Sequence, residues 1–159
     1  MAVTTGILRE RFYAAVGRFT VMWASMEAGL DILAISATPP NSEQRRKTPH
    51  QLGDKTKYIR KHVLPQLPTE HSSQLTSILD RIDRLSDRRH DVIHGAGLNE
   101  KRDGAALVVT FGSLLQPRKK PRRMPVKVTA KQIDEMSARV FEVWGDLLDF
   151  AETTLKKRR

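Results

Sequence analysis

The sequence predicts an all-α protein, an antiparallel four-helix bundle with a β-hairpin inserted between the third and fourth helices. Apolar residues recur at spacings of three and four in the segments assigned to the helices, as in amphipathic helices. Two short valine-rich runs between the third and fourth of these segments have the composition of strands. The chain has 159 residues and no internal repeat, so we expect one domain over residues 1–159.

The first helix is predicted from about Thr4 to Ser36. Thr4 or Thr5 can cap its start, and the turn residues Thr38–Asn41, which include two prolines, end it. Its apolar stripe consists of Leu8, Phe12, Ala15, Phe19, Met22, Met26, Leu30 and Leu33.

The second helix is predicted to begin at Thr48, because Thr48 and Gln51 form a capping box with proline at the first helical position. Pro65 and Pro68 end it. The third helix is predicted from about Thr69 to His94, where glycines follow.

Strands are predicted over residues 105–111 and 124–129, and Pro125 marks the second as an edge strand. The hairpin, with its long basic tip, covers about residues 104–129. Thr129 and Gln132 form a second capping box, which starts the fourth helix. Trp23 and Trp144 lie on apolar stripes and are expected in the core.

The net charge of +10 is concentrated in two short segments without acidic residues. Without the nine cations of these segments the chain has 19 basic and 18 acidic residues. Localised positive charge favours a polyanionic partner, although it also improves solubility and stabilises helix C-termini. The segments are the hairpin tip, with Arg118, Lys119, Lys120, Arg122 and Arg123, and the tail over residues 156–159.

The composition also excludes several classes of site. The absence of cysteine excludes disulfides, thiolate metal sites and thiol nucleophiles. No uninterrupted apolar run approaches the roughly 20 residues of a membrane helix, and the first residues do not resemble a signal peptide. We therefore expect a cytoplasmic protein without a membrane partner.

Arg89 occupies a core position of the third helix. At about 100° per residue it falls on the apolar stripe, four residues after Leu85 and three before Val92. Arginine is rarely buried without a partner. It could pair with a carboxylate such as Glu27, lie at a subunit interface, bind a phosphate in a cleft, or extend its charged end to solvent.

His94 follows Arg89 by five residues, roughly 140° around the helix. The two side chains could converge through the reach of arginine, through distortion of the helix, or across the two-fold axis of a homodimer. A metal-binding face of Asp83, Asp87, His90 and His94 is a weaker alternative, because the glutamate of a zinc-hydrolase helix is missing. No metal or other cofactor is predicted.

The run Arg88–Gly95 resembles the signature of the HEPN (higher eukaryotes and prokaryotes nucleotide-binding) superfamily. Arg89 matches its arginine, His90 its polar position and His94 its histidine. The run Trp23–Glu27 is similar to the first helix of many such domains. The run Leu52–Lys55 is similar to the start of their second helix.

This resemblance implies a helical bundle that often dimerises. Active members are metal-independent ribonucleases in toxin–antitoxin, phage-defence and RNA-processing systems, and others bind nucleotides or proteins. Ala96 stands where one toxin branch has tyrosine, so this chain departs from that branch. An antitoxin or another protein would be a further partner.

The expected chemistry is attack of an RNA 2′-OH on the adjacent phosphate. His94 would act as general base or acid, and Arg89 would hold the phosphate oxygens. His90 would orient the phosphate or His94, Glu27 and Asp87 would support the site, and the basic hairpin tip would dock the RNA backbone. The alternatives are a non-catalytic HEPN-like module and an unrelated basic helical protein that binds nucleic acid.

Overall fold

The computed structural model describes residues 4–38, 43, 49–94, 96–112 and 124–155. Within these residues the chain is mostly helical, with a three-stranded antiparallel sheet between the third and fourth helices. The helices are α1 (Thr5–Ser36), α2 (Leu52–His62), α3 (Thr69–His94) and α4 (Ala130–Phe150), followed by a π-helical turn at Ala151–Leu155. The strands are β1 (Ala96–Asp103), β2 (Ala106–Gly112) and β3 (Val126–Thr129).

The apolar stripe of α1 is confirmed. All of its predicted members are buried except Met22, which is half-buried. Thr4 caps the helix, since the Ile7 N–H donates to Thr4 Oγ1 at 3.4 Å. Among the described segments, α1 is also the one helix with the length and apolar composition to cross a membrane. The core helix of a folded domain can meet the same condition, so this finding is weak evidence for a membrane span.

The predicted start of α2 at Thr48 was wrong. The helix begins at Leu52, and Gln51 is its N-cap, with extended backbone angles (φ −80°, ψ 137°) and no side-chain capping bond. The extended conformation at Gln51 prevents the helix from continuing back to Thr48, which lies outside the described residues. The α2 helix ends at His62, and a 3₁₀ turn that contains Pro65 follows at Leu64–Gln66.

The predictions for α3 and α4 agree with the structure. The α3 helix spans Thr69–His94, as expected. The capping box before α4 is formed, because the Thr129 N–H donates to Gln132 Oε1 at 2.9 Å and the Gln132 N–H donates to Thr129 Oγ1 at 3.3 Å. Trp23 is buried as predicted. Trp144 is only half-buried, and its ring packs edge-on against the exposed ring of Phe141.

The predicted hairpin corresponds to β2 and β3, which pair antiparallel. The sequence prediction missed β1, which pairs antiparallel with the other edge of β2 and gives the strand order β1-β2-β3. The turn between β1 and β2 requires the left-handed backbone of Gly104 (φ 56°), which glycine adopts without steric cost. Residues 113–123, which contain the basic tip, lie outside the described part of the chain.

The chain folds into two compact units that share the long helices. Unit one comprises Met1–Val21 and Leu85–Ala138. Its core joins α1 to the sheet, because the rings of Phe12 and Phe111 stack with centroids 6.1 Å apart. Unit two comprises Met22–Arg84 and Arg139–Arg159.

Ion pairs and close packing connect the helices within unit two. Lys55 joins α2 to α1 through Asp31 at 2.8 Å, and Arg81 joins α3 to α4 through Asp146. Gly29 of α1 lies against α4, where an added Cβ would be 2.9 Å from Leu147 Cδ2. Each helix therefore contacts at least one other helix of this unit.

Arg60 connects α2 to α3 through two carboxylates. Its Nη2 lies 2.7 Å from Asp80 Oδ1 and 3.0 Å from Asp83 Oδ2. Burial disfavours the charged guanidinium, but the hydrogen bonds to Asp83 and Asp80 outweigh it and raise the pKa of Arg60. The two carboxylates therefore favour the charged form of Arg60.

Candidate functional site

Arg89 lies on the apolar face of α3, as the sequence predicted. The residue is half-buried and its Nε atom is buried. Its helix neighbours on the same face are the half-buried Leu85 and the buried Val92. The side chain of Arg89 therefore lies on a largely apolar surface of α3. In these surroundings the positive charge of its guanidinium attracts an anion more strongly than it would in water.

The other motif residues lie nearby on α3. His90 and Asp87 are exposed to solvent. His94 is the last residue of α3, and its side chain lies outside the described part of the structure. Its Cα is about 7.5 Å along the helix axis from that of Arg89. The convergence of the Arg89 and His94 side chains stays a prediction.

Glu27 has a partner that the sequence analysis did not anticipate. This half-buried residue accepts a hydrogen bond from Trp23 Nε1, with 2.6 Å between Nε1 and Oε1. Their spacing of four residues on one helix would have allowed this contact to be predicted. Glu27 belongs to unit two and Arg89 to unit one, so their proposed ion pair stays a prediction.

The described residues contain no group of three histidine, aspartate or glutamate side chains placed to hold a metal ion. Asp83, Asp87 and His90 share α3 but do not form such a group.

The sheet brings the two strand ends that flank the basic segment close to the start of β1, which follows α3 in the chain. Ala96 opens β1, two residues after His94, and lies opposite Gly112 at the end of β2. The neighbouring position of β2, Phe111, lies opposite Val126 at the start of β3. The chain therefore leaves the sheet after Gly112 and returns to it at Val126, at the same end of the strands at which β1 begins after α3. The predicted RNA-binding residues Arg118, Lys119, Lys120, Arg122 and Arg123 belong to this connection and lie outside the described residues.

Glu100 holds β1 against α1. Its carboxylate lies 2.6 Å from Arg9 Nε and accepts a hydrogen bond from the Tyr13 hydroxyl at 3.2 Å. Sequence analysis missed this contact because about ninety positions separate the partners, and no local pattern links them. The contact fixes the strand that follows directly from the motif.

A shallow groove of about 650 Å³ lies between residues 11–18 of α1 and residues 130–138 of α4. Two of its three cations face its acids, because Arg18 Nη2 lies 2.8 Å from Asp134 Oδ1 and Lys131 Nζ lies 3.9 Å from Glu135 Oε1. None of the predicted site residues lines it. The lining residues are Arg11, Ala14, Arg18, Ala130, Lys131, Asp134, Glu135 and Ala138.

Comparison with protein-family models, with curated proteins and with solved structures finds no match to this chain.

Proposed function

We propose that the protein is a metal-independent endoribonuclease that acts through the Arg-x4-His motif of Arg89 and His94, completed in a homodimer. The observation that carries the proposal is the buried Nε of Arg89 on an apolar helix face. Gly112 and Val126, which flank the connection that contains the basic segment, lie at the same end of the sheet as Ala96, two residues after His94, which supports RNA docking there. We place the protein among toxin or phage-defence components, with an antitoxin or another protein as an additional partner.

In the proposed reaction the RNA 2′-oxygen attacks the adjacent phosphorus and the bond from phosphorus to the 5′-oxygen breaks. His94 removes the 2′-OH proton or donates a proton to the leaving 5′-oxygen. Arg89 donates hydrogen bonds to the non-bridging phosphate oxygens and stabilises their increased charge. The products are a 2′,3′-cyclic phosphate and a 5′-hydroxyl, and His90 orients the phosphate or His94.

The HEPN-type antiparallel bundle is part of the same proposal. The contacts between α3 and α4 in unit two support it, because Arg81 contacts Asp146 while the earlier residue His71 packs on the later residue Phe150. This order of contacts is that of an antiparallel pair. The other helix directions of the bundle belong to the proposal.

A second candidate is a non-catalytic module of the same fold that binds a nucleotide or a protein. The partial burial of Arg89 favours it as well, because a buried Nε also suits an arginine that only stabilises a helix or an interface. In that case His94 has no chemical role.

Substitution of His94 by alanine tests the proposal. We expect the parent to cleave RNA in EDTA and to leave 2′,3′-cyclic phosphate ends, and we expect H94A to lose this activity while keeping its helical circular dichroism. His50→Ala is the matched control, since His50 is exposed and lies outside the motif. Cleavage by H94A at the parental rate in EDTA would show that the mechanism is wrong.

A further inference from the structure

The two faces of the sheet differ in burial. Along β2, Leu107, Val109 and Phe111 are buried, and the residues between them are half-buried. The buried face is the one toward α1, because Phe111 stacks on Phe12. We call the opposite face of the sheet the outer face.

The strand register gives the outer face two polar rows. In one row Thr110 lies between Asn99 of β1 and Lys127 of β3. In the next row Val108 lies between Lys101 and Thr129. Asn99, Lys101 and Lys127 are exposed to solvent. The outer face therefore combines two cations with an amide and the Thr110 hydroxyl.

The two lysines have their charges available for a ligand. Neither Lys101 nor Lys127 forms an ion pair with another described residue. Lys101 lies on β1 and Lys127 on β3, the two strands that flank β2, and they belong to neighbouring rows. This places their Cα atoms about 12 Å from each other. This separation suits contacts with two different phosphates of one nucleic-acid strand. The Thr129 hydroxyl is not available, because it caps α4.

We propose that the outer face is a docking surface for the phosphate backbone of single-stranded RNA, which it guides toward the end of α3. This inference depends on the proposed ribonuclease function. Beyond the row of Asn99, the exposed side chain of Leu98 lies over Gly112, where an added Cβ would be 2.6 Å from Leu98 Cδ1. Gly112 pairs with Ala96, which comes two residues after His94. At the opposite end lies Asp103, whose negative charge disfavours phosphate. The charge pattern therefore directs the strand toward the motif.

The surface also predicts how the RNA is recognised. The outer-face positions of the three strands carry no aromatic side chain on which a base could stack. Lysine, asparagine and threonine side chains can contact phosphate and ribose without identifying the base. Binding at this surface is therefore independent of sequence and depends on salt.

The test compares two double variants with the same change in net charge. K101Q/K127Q removes both cations of the outer face. K57Q/K61Q removes two exposed lysines of α2, in the other compact unit. The probe is a fluorescent 2′-O-methyl oligouridine, which lacks the attacking hydroxyl and cannot be cleaved by the proposed reaction. Fluorescence anisotropy gives its affinity between about 50 mM and about 200 mM salt.

We expect K101Q/K127Q to reduce the slope of log affinity against log salt by about 1.4, since each phosphate contact of a single strand contributes about 0.7. Over this salt range the parent would then lose about sevenfold more affinity than the variant. The control should keep the parental slope. An unchanged slope in K101Q/K127Q, an equal change in the control, or no binding by the parent would overturn the inference. Because the probe is not cleaved, its binding can be judged even if the parent proves inactive toward RNA.

Discussion

At the scale of single residues, Arg89 is unusual because it is a charged, half-buried residue on the apolar face of α3. A guanidinium offers planar, paired donors that match two oxygens of a phosphate, whereas a lysine ammonium is a point charge on a flexible chain. The largely apolar surface of α3 around Arg89 strengthens such contacts. The shape of the donor group, and not only its charge, should therefore matter for activity.

Arg89→Lys tests this requirement. We expect RNA cleavage to fall about 100-fold or more, because loss of a positioned donor to a transition-state oxygen has an effect of this size. Arg88→Lys is the control, since Arg88 is adjacent and exposed and its variant should cleave like the parent. Single-turnover cleavage rates measure the effect, and circular dichroism establishes that both variants are folded. Parental rates for R89K would contradict a bidentate role.

The sequence identified Arg89 because helical periodicity alone assigns a residue to a face. Periodicity does not identify partners from distant parts of the chain. The contacts of Glu100 with Arg9 and Tyr13 depend on where β1 meets α1, so they could not be predicted locally. The hydrogen bond from Trp23 to Glu27 is local and could have been predicted from the spacing of the two residues.

At the scale of elements, β1 was missed because none of its described side chains, those of residues 97–103, is fully buried. Glu100, the residue of β1 opposite the buried Val109, is itself polar, and Lys101 on the other face is exposed. An edge strand of this kind lacks the alternation of apolar and polar residues by which strands are predicted. The strands β2 and β3 were predicted because their segments are rich in valine, which is typical of strands.

The two capping boxes predicted from the sequence, at Thr48 and Thr129, show when a local sequence pattern is sufficient to predict the start of a helix. Thr129 caps α4, and the apolar stripe of the helix begins at once with the buried Ile133. After Thr48 the first buried side chain of α2 is Lys55, so packing does not require the helix to begin earlier than Leu52. The capping box at Thr129 therefore predicted the start of α4 correctly, because a buried residue follows it closely. The capping box at Thr48 did not predict the start of α2, because the burial of α2 does not require the helix to include Thr48.

Thr129→Ala tests the cap of α4. Loss of the hydroxyl leaves the Gln132 N–H without its capping acceptor, so we expect the free energy of unfolding to fall by about 1 kcal/mol. Thr129→Ser keeps the hydroxyl and should keep most of the stability. Urea denaturation of the two variants and the parent measures the difference. Equal losses in both variants would show that the methyl group, and not the cap, is responsible.

Two glycines of α1 give opposite predictions for alanine. At Gly17 an added Cβ meets no atom within 4 Å, so G17A should raise the free energy of unfolding by about 1 kcal/mol through helix propensity. At Gly29 the Cβ would lie 2.9 Å from Leu147 Cδ2, and Leu147 is fully buried. We expect G29A to be less stable than G17A by about 1–3 kcal/mol in urea denaturation. Equal stabilisation by both substitutions would contradict this close packing of α1 on α4.

At the scale of the whole molecule, charge and topology support the same proposal. Nine of the ten cations in excess of the acids lie in the hairpin tip and the tail. The register of the sheet brings Gly112 and Val126, which flank the segment of the tip, to the end of the sheet at which β1 follows α3. The sequence predicted the charge segregation and the order of the helices. It could not predict that the flanks of the tip segment lie near the end of α3, because their position depends on β1 and on pairing between strands that are distant along the chain.

Mixed dimers test whether the motif is completed between two copies. Arg89 and His94 lie about 140° apart on one straight helix, so the proposed site combines Arg89 of one protomer with His94 of its partner. R89A and H94A should each be inactive alone. When they are refolded together in equal amounts, about half of the dimers are mixed and each mixed dimer has one intact site of two, so about a quarter of the parental activity should return. Sedimentation equilibrium establishes the dimer, and each variant refolded alone is the control. A dimer whose mixture stays inactive would contradict a site shared between protomers.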